Sequence, residues 1–376
     1  MTDERPKTST RDHAVLREQL TAWLATKLQD ATITEFTVPG TNGMSSETIL
    51  FHATWTSAPG SDENRSTTSD RFVLRLPPDV ASEPVFPVYD MPRQFHAMRL
   101  VGARTGIAVP PTIWLETDPT PLGAPFFVMG RIDGVVPPDV MPYTFGDNWF
   151  FDSSIEDQAA LQRASVEVLT KIHSISADDP DAAFLAIDAP GDTVLRRHVN
   201  DQRAFYEWVA SDGVRSPLIE AAFAWLEARW PSDEGDCVVS WGDARIGNMM
   251  YREHRPVAVL DWEMAGHGPR EIDVAWMIFI HRFFQDLTEQ FGLPGMPHFM
   301  RTAEVSAQYE ELSGTPLRDL EWYILYAALR HAIVMFRITR RQILFGEAEM
   351  PDNPDHAFIH HPTVTAMLDG SYWSKL

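Results

Sequence analysis

Between Ser240 and Glu263 the chain carries three side chains able to handle a metal ion and a proton: Asp243, Asn248 and Asp261. Asp243 and Asn248 stand in a loop with Gly242 and Gly247, whose backbones can take angles closed to other residues. Met249 to Arg252 and Val257 to Leu260 are short, apolar and β-branched, and Glu253-His254-Arg255-Pro256 between them has turn composition, so the stretch reads as a hairpin. Pairing Arg252 with Val257 sets Asn248 opposite Asp261. The amide oxygen and the carboxylate then leave the same end of the hairpin. Hard oxygen ligands grouped in this way suit Mg²⁺, which makes Asn248 and Asp261 the expected metal ligands. Asp and Asn beside Gly are also common in plain turns, but such a turn has no need of a second carboxylate aimed at the same point.

The elements that must position these residues are those of an ordinary globular protein. With 376 residues and 44% hydrophobic content the chain can bury a core in two domains, or in one domain of two lobes. A formal charge of −22 argues against nucleic acid or anionic lipid as main partner, because a phosphate-tracking surface needs a basic stripe. There is no apolar run long enough for a membrane span, and the opening Met1 to Thr10 is polar, so neither a membrane span nor a secretory signal is expected and a cytoplasmic location is the default. The single cysteine, Cys237, excludes an internal disulfide and is expected to pack as a small hydrophobe.

Arg11 to Asp30 has apolar residues at helical spacing, and Ala31 to Val38, Thr48 to Thr56 and Arg71 to Leu76 alternate as strands, with Ala58 to Asp70 as a polar hairpin loop. Met91 to Thr105 predicts a helix; Thr112 to Glu116 and Phe126 to Ile132 resume the strand pattern. Helix dominates afterwards, over Ile155 to Ile175, Thr193 to Ala210, Pro217 to Trp230, Ile272 to Phe291, His298 to Leu312 and Asp319 to Phe345, with a loop-like tail after Gly346. The expected class is α+β: an N-terminal lobe over 1–130 with a small antiparallel sheet, and a larger, mainly helical lobe over 131–376. Glu263 reads equally as an additional acid ligand or support and as a solvent-facing glutamate. Asp273 reads as an N-terminal charge on its helix or as a brace for the loop, and His267 as a turn residue.

Asp243 to Asn248 has the D-x-x-x-x-N spacing of a kinase catalytic loop, in which the Asp orients the acceptor hydroxyl and the Asn holds magnesium. Trp241-Gly242-Asp243 to Asn248, Val259-Leu260-Asp261-Trp262-Glu263, Leu169-Thr170-Lys171-Ile172-His173 and the hinge strand Phe126 to Gly134 together make the chain resemble the aminoglycoside phosphotransferase and choline-kinase-like family over about Phe36 to Trp276. The resemblance implies a protein-kinase-like two-lobed fold, ATP and Mg²⁺, Asp243 as catalytic base, and Asn248 and Asp261 as metal ligands. Trp241 stands where the family usually has His, and the W-G-D-A-R variant, with Arg245 beside the catalytic Asp243, is similar to kinase-like domains fused to acyl-CoA dehydrogenases.

Arg75 lies where the family usually has a phosphate-contacting Lys; its fork of donors suits phosphate, the alternative being a surface arginine on a sheet. Gln94 stands where a Glu would pair that cation, with Glu83 and Asp90 as substitutes. Gly40, Thr41, Asn42, Gly43, Ser45 and Ser46 fall where the phosphate-covering loop belongs, offering N–H groups and hydroxyls. At the hinge, Val128, Met129 and Arg131 are expected to meet adenine. The aromatic run Met141 to Phe150 reads as a wall of the acceptor pocket or as packing against its lobe. No G-x-x-x-x-G-K-[ST], H-E-x-x-H or G-x-S-x-G occurs. The expected activity is ATP-dependent transfer to a hydroxyl of a small molecule, its partners being ATP and that acceptor, which could be an aminoglycoside, amino alcohol, hydroxy acid or hydroxyacyl thioester. Two rivals remain: a nucleotide-binding regulatory module without transfer, and a magnesium-dependent phosphohydrolase.

Overall fold

The computed structural model describes residues 11–39, 45–56 and 67–375. They form two compact units, bounded as Met1–Arg99 with Pro110–Ile132 and as Leu100–Val109 with Asp133–Leu376.

In the first unit α1 (His13–Leu24) is started by Asp12, whose carboxylate accepts from the N–H of Ala14 at 2.8 Å. Its apolar positions Leu16, Leu20, Trp23 and Leu24 recur at helical spacing and are buried, so one stripe of the helix faces the sheet. The sheet comprises β1 (Thr32–Thr37), β2 (Glu47–Thr56), β3 (Thr67–Leu76), β4 (Thr112–Glu116) and β5 (Phe126–Gly130), in the order β1-β2-β3-β5-β4, all antiparallel. Ile49, Phe51, Phe72, Leu74, Phe126 and Val128 supply the face that covers α1. Strand β3 begins at Thr67, earlier than Arg71, because Thr67 to Asp70 pair in register with Ala53 to Thr56. The loop expected over Ala58 to Asp70 is shortened by that pairing, and residues 57–66 lie outside the described ones. Helix α2 (Met91–Thr105) has the predicted bounds, its start held by Asp90 accepting from the N–H of Arg93 at 2.8 Å.

The second unit is built on α3 (Ile155–Ile172), α4 (Val194–Val209), α5 (Pro217–Ala228), β6 (Cys237–Ser240), β7 (Met249–Arg252), β8 (Arg255–Val259), β9 (Gly266–Pro269), α6 (Glu271–Gln290), α7 (Thr302–Ser313), α8 (Leu320–Leu344) and α9 (His361–Asp369). Helices α6 and α8 form its centre. Ile272, Val274, Ile278 and Phe279 on one, and Ile324, Leu325, Ala328 and Phe336 on the other, are at most 1% exposed. Burial on several sides suits the near-continuous apolar sequence of both helices.

Three expectations are corrected here. His267 is not a turn residue: it lies in β9, opposite Val239 of β6, buried, with Nε2 2.9 Å from the carbonyl of Ala182. The chain after Gly346 is not a loop-like tail but folds into α9, which packs against α5 and α8. The hairpin register also differs. Only Glu253 and His254 separate the strands, both at positive φ (49° and 59°), which is the two-residue turn whose twist matches a hairpin. Arg252 therefore pairs with Arg255, a bulge after Met250 absorbs one residue, and Met249 pairs with Val259. Asn248 consequently faces Leu260, whose N–H donates to its carbonyl at 2.8 Å, and Asp261 comes one residue later at φ 56°.

Candidate functional site

The site of the second unit is a short loop between β6 and β7 laid over the start of α6. Beneath it, Asp273 is fully buried. Its carboxylate accepts from the N–H of Trp241 at 2.6 Å, the N–H of Gly242 at 2.9 Å, the hydroxyl of Ser240 at 2.7 Å and Nε2 of His173 at 3.0 Å. Burial opposes the charged form, but the hydrogen bond from His173 and those from Ser240 and Gly242 hold its pKa below the ordinary carboxylate value. Both readings of Asp273 hold: it lies in the first turn of α6, and it braces the loop. His173 is itself fixed, with Nδ1 2.8 Å from the hydroxyl of Tyr309.

The turn above the brace requires glycine. Gly242 has φ +91°, and a Cβ there would lie 2.1 Å from the carbonyl oxygen of Met264. At Gly247 a Cβ would lie 2.4 Å from Oδ1 of Asp139, so this second glycine makes room for a carboxylate. Trp241 fills the space under the loop: it is buried, donates from Nε1 to the carbonyl of Leu260 at 2.9 Å, and packs against Trp262 with ring centroids 6.0 Å apart.

On the upper face, Asp243 accepts from Nε1 of Trp276 at 2.7 Å, from Nδ2 of Asn248 at 2.7 Å, and from Nε of Arg245 at 3.1 Å to each oxygen. The other side of the Arg245 guanidinium pairs with Asp139. Burial disfavours the cation, yet the charges of Asp243 and Asp139 outweigh it and raise the pKa of Arg245. Nδ2 of Asn248 also reaches the carbonyl of Asp243 at 3.1 Å. Both of its donor bonds go to Asp243, which leaves Oδ1 without a hydrogen-bond partner among the described residues and able to serve as an oxygen ligand. Asp261 and Glu263 are half-buried. Among the described residues no group of three His, Cys, Asp or Glu side chains is arranged to hold a metal, so an ion here would take the Asn248 oxygen, the Asp261 carboxylate, water and oxygens of a ligand. Magnesium commonly keeps such a mixed set.

Beside Arg245, a cavity of about 10 Å³, room for one water molecule, is lined by Asp139, Tyr143, Arg245, Gly247, His281 and other residues. Burial pushes the pKa of His281 down to about 3. The neutral ring donates from Nε2 to the carbonyl of Met296, and Nδ1 accepts from the Tyr143 hydroxyl at 2.9 Å. The aromatic segment 141–150 thus packs into its own unit, through Tyr143 and Phe150, while Tyr143 also lines this cavity. Asp139, Trp276 and the buried Arg330 under the loop carry no sequence signal of their own.

In the first unit, Nη1 of Arg75 donates to the hydroxyl of Thr48 at 2.7 Å across the β2–β3 pair. Ser45 and Ser46 are buried at the start of β2, while Gly40, Thr41, Asn42 and Gly43 lie outside the described residues. Val128 and Met129 are buried in β5, an inner strand. The N–H groups of Gly130 and Arg131 are engaged by the carbonyls of Pro111 and Arg71, at 2.8 and 3.0 Å. An adenine edge laid against this strand end would therefore meet carbonyl oxygens or the residues that follow. Cys237 is half-buried at the start of β6, and burial pushes its thiol up to about 11, as for an inert packed cysteine. No helix among the described residues is long and apolar enough to cross a membrane.

Residues 62–295 match the sequence model of the phosphotransferase enzyme family. Among curated proteins, the chain is 25% identical over 291 residues to the probable acyl-CoA dehydrogenase IBR3 of Arabidopsis thaliana, covering 73% of this chain and 34% of that longer protein. The chain thus spans about a third of the length of this relative. Among solved structures, a Ralstonia eutropha protein assigned as an aminoglycoside phosphotransferase superposes with a TM-score of 0.63 at 20% identity, over 95% of this chain and 98% of the other. A thermostable mutant of aminoglycoside phosphotransferase APH(4)-Ia, in ternary complex with ADP and hygromycin B, gives a TM-score of 0.52 at 15% identity, over 93% and 98%. Both likenesses concern the fold, which is protein-kinase-like.

Proposed function

Because the chain belongs to the phosphotransferase enzyme family, we propose that it moves the terminal phosphoryl group of ATP to a hydroxyl of a small molecule, with Asp243 meeting that hydroxyl. The observation that carries this reading is the state of Asp243: half of its hydrogen bonding is rigid and half is displaceable. Trp276 and Asn248 hold one oxygen each at 2.7 Å, whereas Arg245 bridges both at 3.1 Å and has Asp139 as a second partner. An incoming hydroxyl can take the place of the long, shared contact and find a carboxylate already oriented. The guanidinium then remains beside the reacting centre, where positive charge stabilises a phosphoryl group in transfer.

Oδ1 of Asn248 and the carboxylate of Asp261 would hold magnesium. When bound, the ion neutralises charge on the phosphates. Arg75 and the segment from Gly40 to Ser46 would contact phosphate, and the end of β5 would take the adenine. Asp243→Asn is expected to keep its melting temperature and its magnesium-ATP affinity while losing about 10²- to 10⁴-fold in turnover, measured by phosphate transfer to a panel of hydroxylated metabolites. Near-normal transfer by this variant removes Asp243 from the mechanism.

A regulatory module that binds nucleotide without transfer is favoured by one feature, the occupation of every lone-pair direction of Asp243 in the free protein. It predicts that ATP raises the melting temperature of a protein that neither transfers nor hydrolyses.

A further inference from the structure

Arg330 on α8 is 2% exposed, and its Nη2 donates to the carbonyl of Gly242 at 3.2 Å. Among the described residues its Nε and Nη1 have no hydrogen-bond partner. The guanidinium carbon lies 4.6 Å from the ring centroid of Trp276 and 5.9 Å from that of Tyr326. Burying a cation with two unpartnered nitrogens costs stability that a leucine at this place would not. What the cation touches explains its use. A positive charge over an indole face is attracted to the ring and polarises its N–H into a stronger donor, most effectively away from water. That N–H is the one held by Oδ1 of Asp243 at 2.7 Å. The same guanidinium holds the carbonyl of the residue just before Asp243, so one side chain holds the peptide leading into that acid and lies over the indole that donates to its carboxylate.

We propose that Arg330 is a positioning residue for Asp243, acting through the indole of Trp276 and the carbonyl of Gly242. Its role rests on the reading of Asp243 as the group that meets the acceptor hydroxyl. The other ionisable groups around this assembly include Arg245 on the loop, Asp273 beneath it, His331, whose ring lies 6.2 Å from that of Trp276, and Asp201, His198 and Tyr326 near Arg330. None of them both touches the indole face and holds the carbonyl of Gly242.

The test uses Arg330→Met, Arg330→Lys, Trp276→Phe and the double variant Arg330→Lys with Trp276→Phe, all in the full chain. The indole ¹H–¹⁵N resonance of Trp276 is identified by its loss in Trp276→Phe. It is expected to move and to exchange faster with water in Arg330→Met, and to be partly restored in Arg330→Lys. In magnesium-dependent ATP hydrolysis, kcat should fall about tenfold in Arg330→Lys with KM for ATP changed less than about twofold, a split expected of an interaction made through the catalytic acid. The double variant should be slower than Trp276→Phe alone by clearly less than the factor that Arg330→Lys costs by itself, since the indole connection is already cut and only the hold on the Gly242 carbonyl is left to lose. An unmoved Trp276 resonance in the Arg330 variants, or effects that multiply in the double variant, overturns the proposal. If Arg330→Met does not fold, the lysine and phenylalanine variants decide. If the wild-type protein neither hydrolyses nor transfers, the phosphotransferase reading falls, and the indole resonance alone still decides whether Arg330 positions Asp243.

Discussion

The floor and the face of the catalytic-type loop use the same side chain in opposite ways. Asp273, at 0% side-chain exposure, is filled by two backbone N–H groups, a hydroxyl and an imidazole. Asp243, at 16%, is filled by three side chains, one of them at 3.1 Å and shared with a second acid. Backbone donors fixed by a turn cannot be exchanged for a ligand without undoing the turn, whereas a long contact from a side chain with another partner can be. The floor is built to stay and the face to be rearranged.

The contrast breaks most sharply at the floor. Asp273→Ala leaves the N–H groups of Trp241 and Gly242 and the imidazole of His173 without their acceptor in a dry site, and is expected to lose about 3–5 kcal/mol in urea denaturation. A loss below about 1 kcal/mol would contradict the bracing role. Gly242→Ala should follow, at about 1–3 kcal/mol from the backbone angle alone, with the displacement of the Met264 carbonyl adding to it. It should also reduce turnover by tilting Asp243, and a fully active, equally stable Gly242→Ala protein would show that the loop is softer than described.

Acid separates the layers more gently. Burial lowers the pKa of His281 beside the face and of His198 within the helical core from 6.5 to about 3, and that of His360 to about 4. These rings are neutral in the folded protein, while the unfolded chain takes up protons below about pH 6.5. Their contribution is therefore complete above that pH and is lost as pH falls toward 4 and then 3. Asp273, its pKa held below 3.8, contributes fully above that pH and gives way only below it. Melting temperatures should decline through pH 6 to 4 while the loop floor stays charged; a flat profile over that interval would mean the histidines find water on protonation. The smallest effect is expected in the first unit, where Arg75→Met should weaken magnesium-ATP binding about tenfold, the scale of one charge-assisted contact. Unchanged affinity in titration calorimetry would return Arg75 to a sheet residue held by Thr48.

Legibility followed the reach of each signal. Met91–Thr105 and Thr112–Glu116 have their predicted bounds because apolar spacing and local caps decide both ends. The four-residue strand Cys237–Ser240 is too short for a pattern of its own, and Gly266–Pro269 reads as a turn because Gly and Pro carry turn chemistry while the pairing that makes it a strand is with a distant segment. The hairpin itself is legible, but its register is two residues out at the turn and, after the bulge, one residue out at Asn248: Glu253 and His254 both adopt positive φ and close the turn in two residues rather than four. Alternation cannot reveal such a slip when a bulge restores the apolar faces.

From the sequence came the order of the elements, the amphipathic faces that build the two units, and the grouping of Asp243, Asn248 and Asp261 along one short stretch. These rest on periodicity and on turn residues, which act over a few positions. Tertiary structure alone decided which acid is sealed beneath the loop and which is left open above it. It also decided that Trp276, Arg330 and Asp139 complete the site from 33, 88 and 106 positions away from their partners. A polar partnership of that span is specified by how non-neighbouring helices pack, and no local pattern in the chain records it.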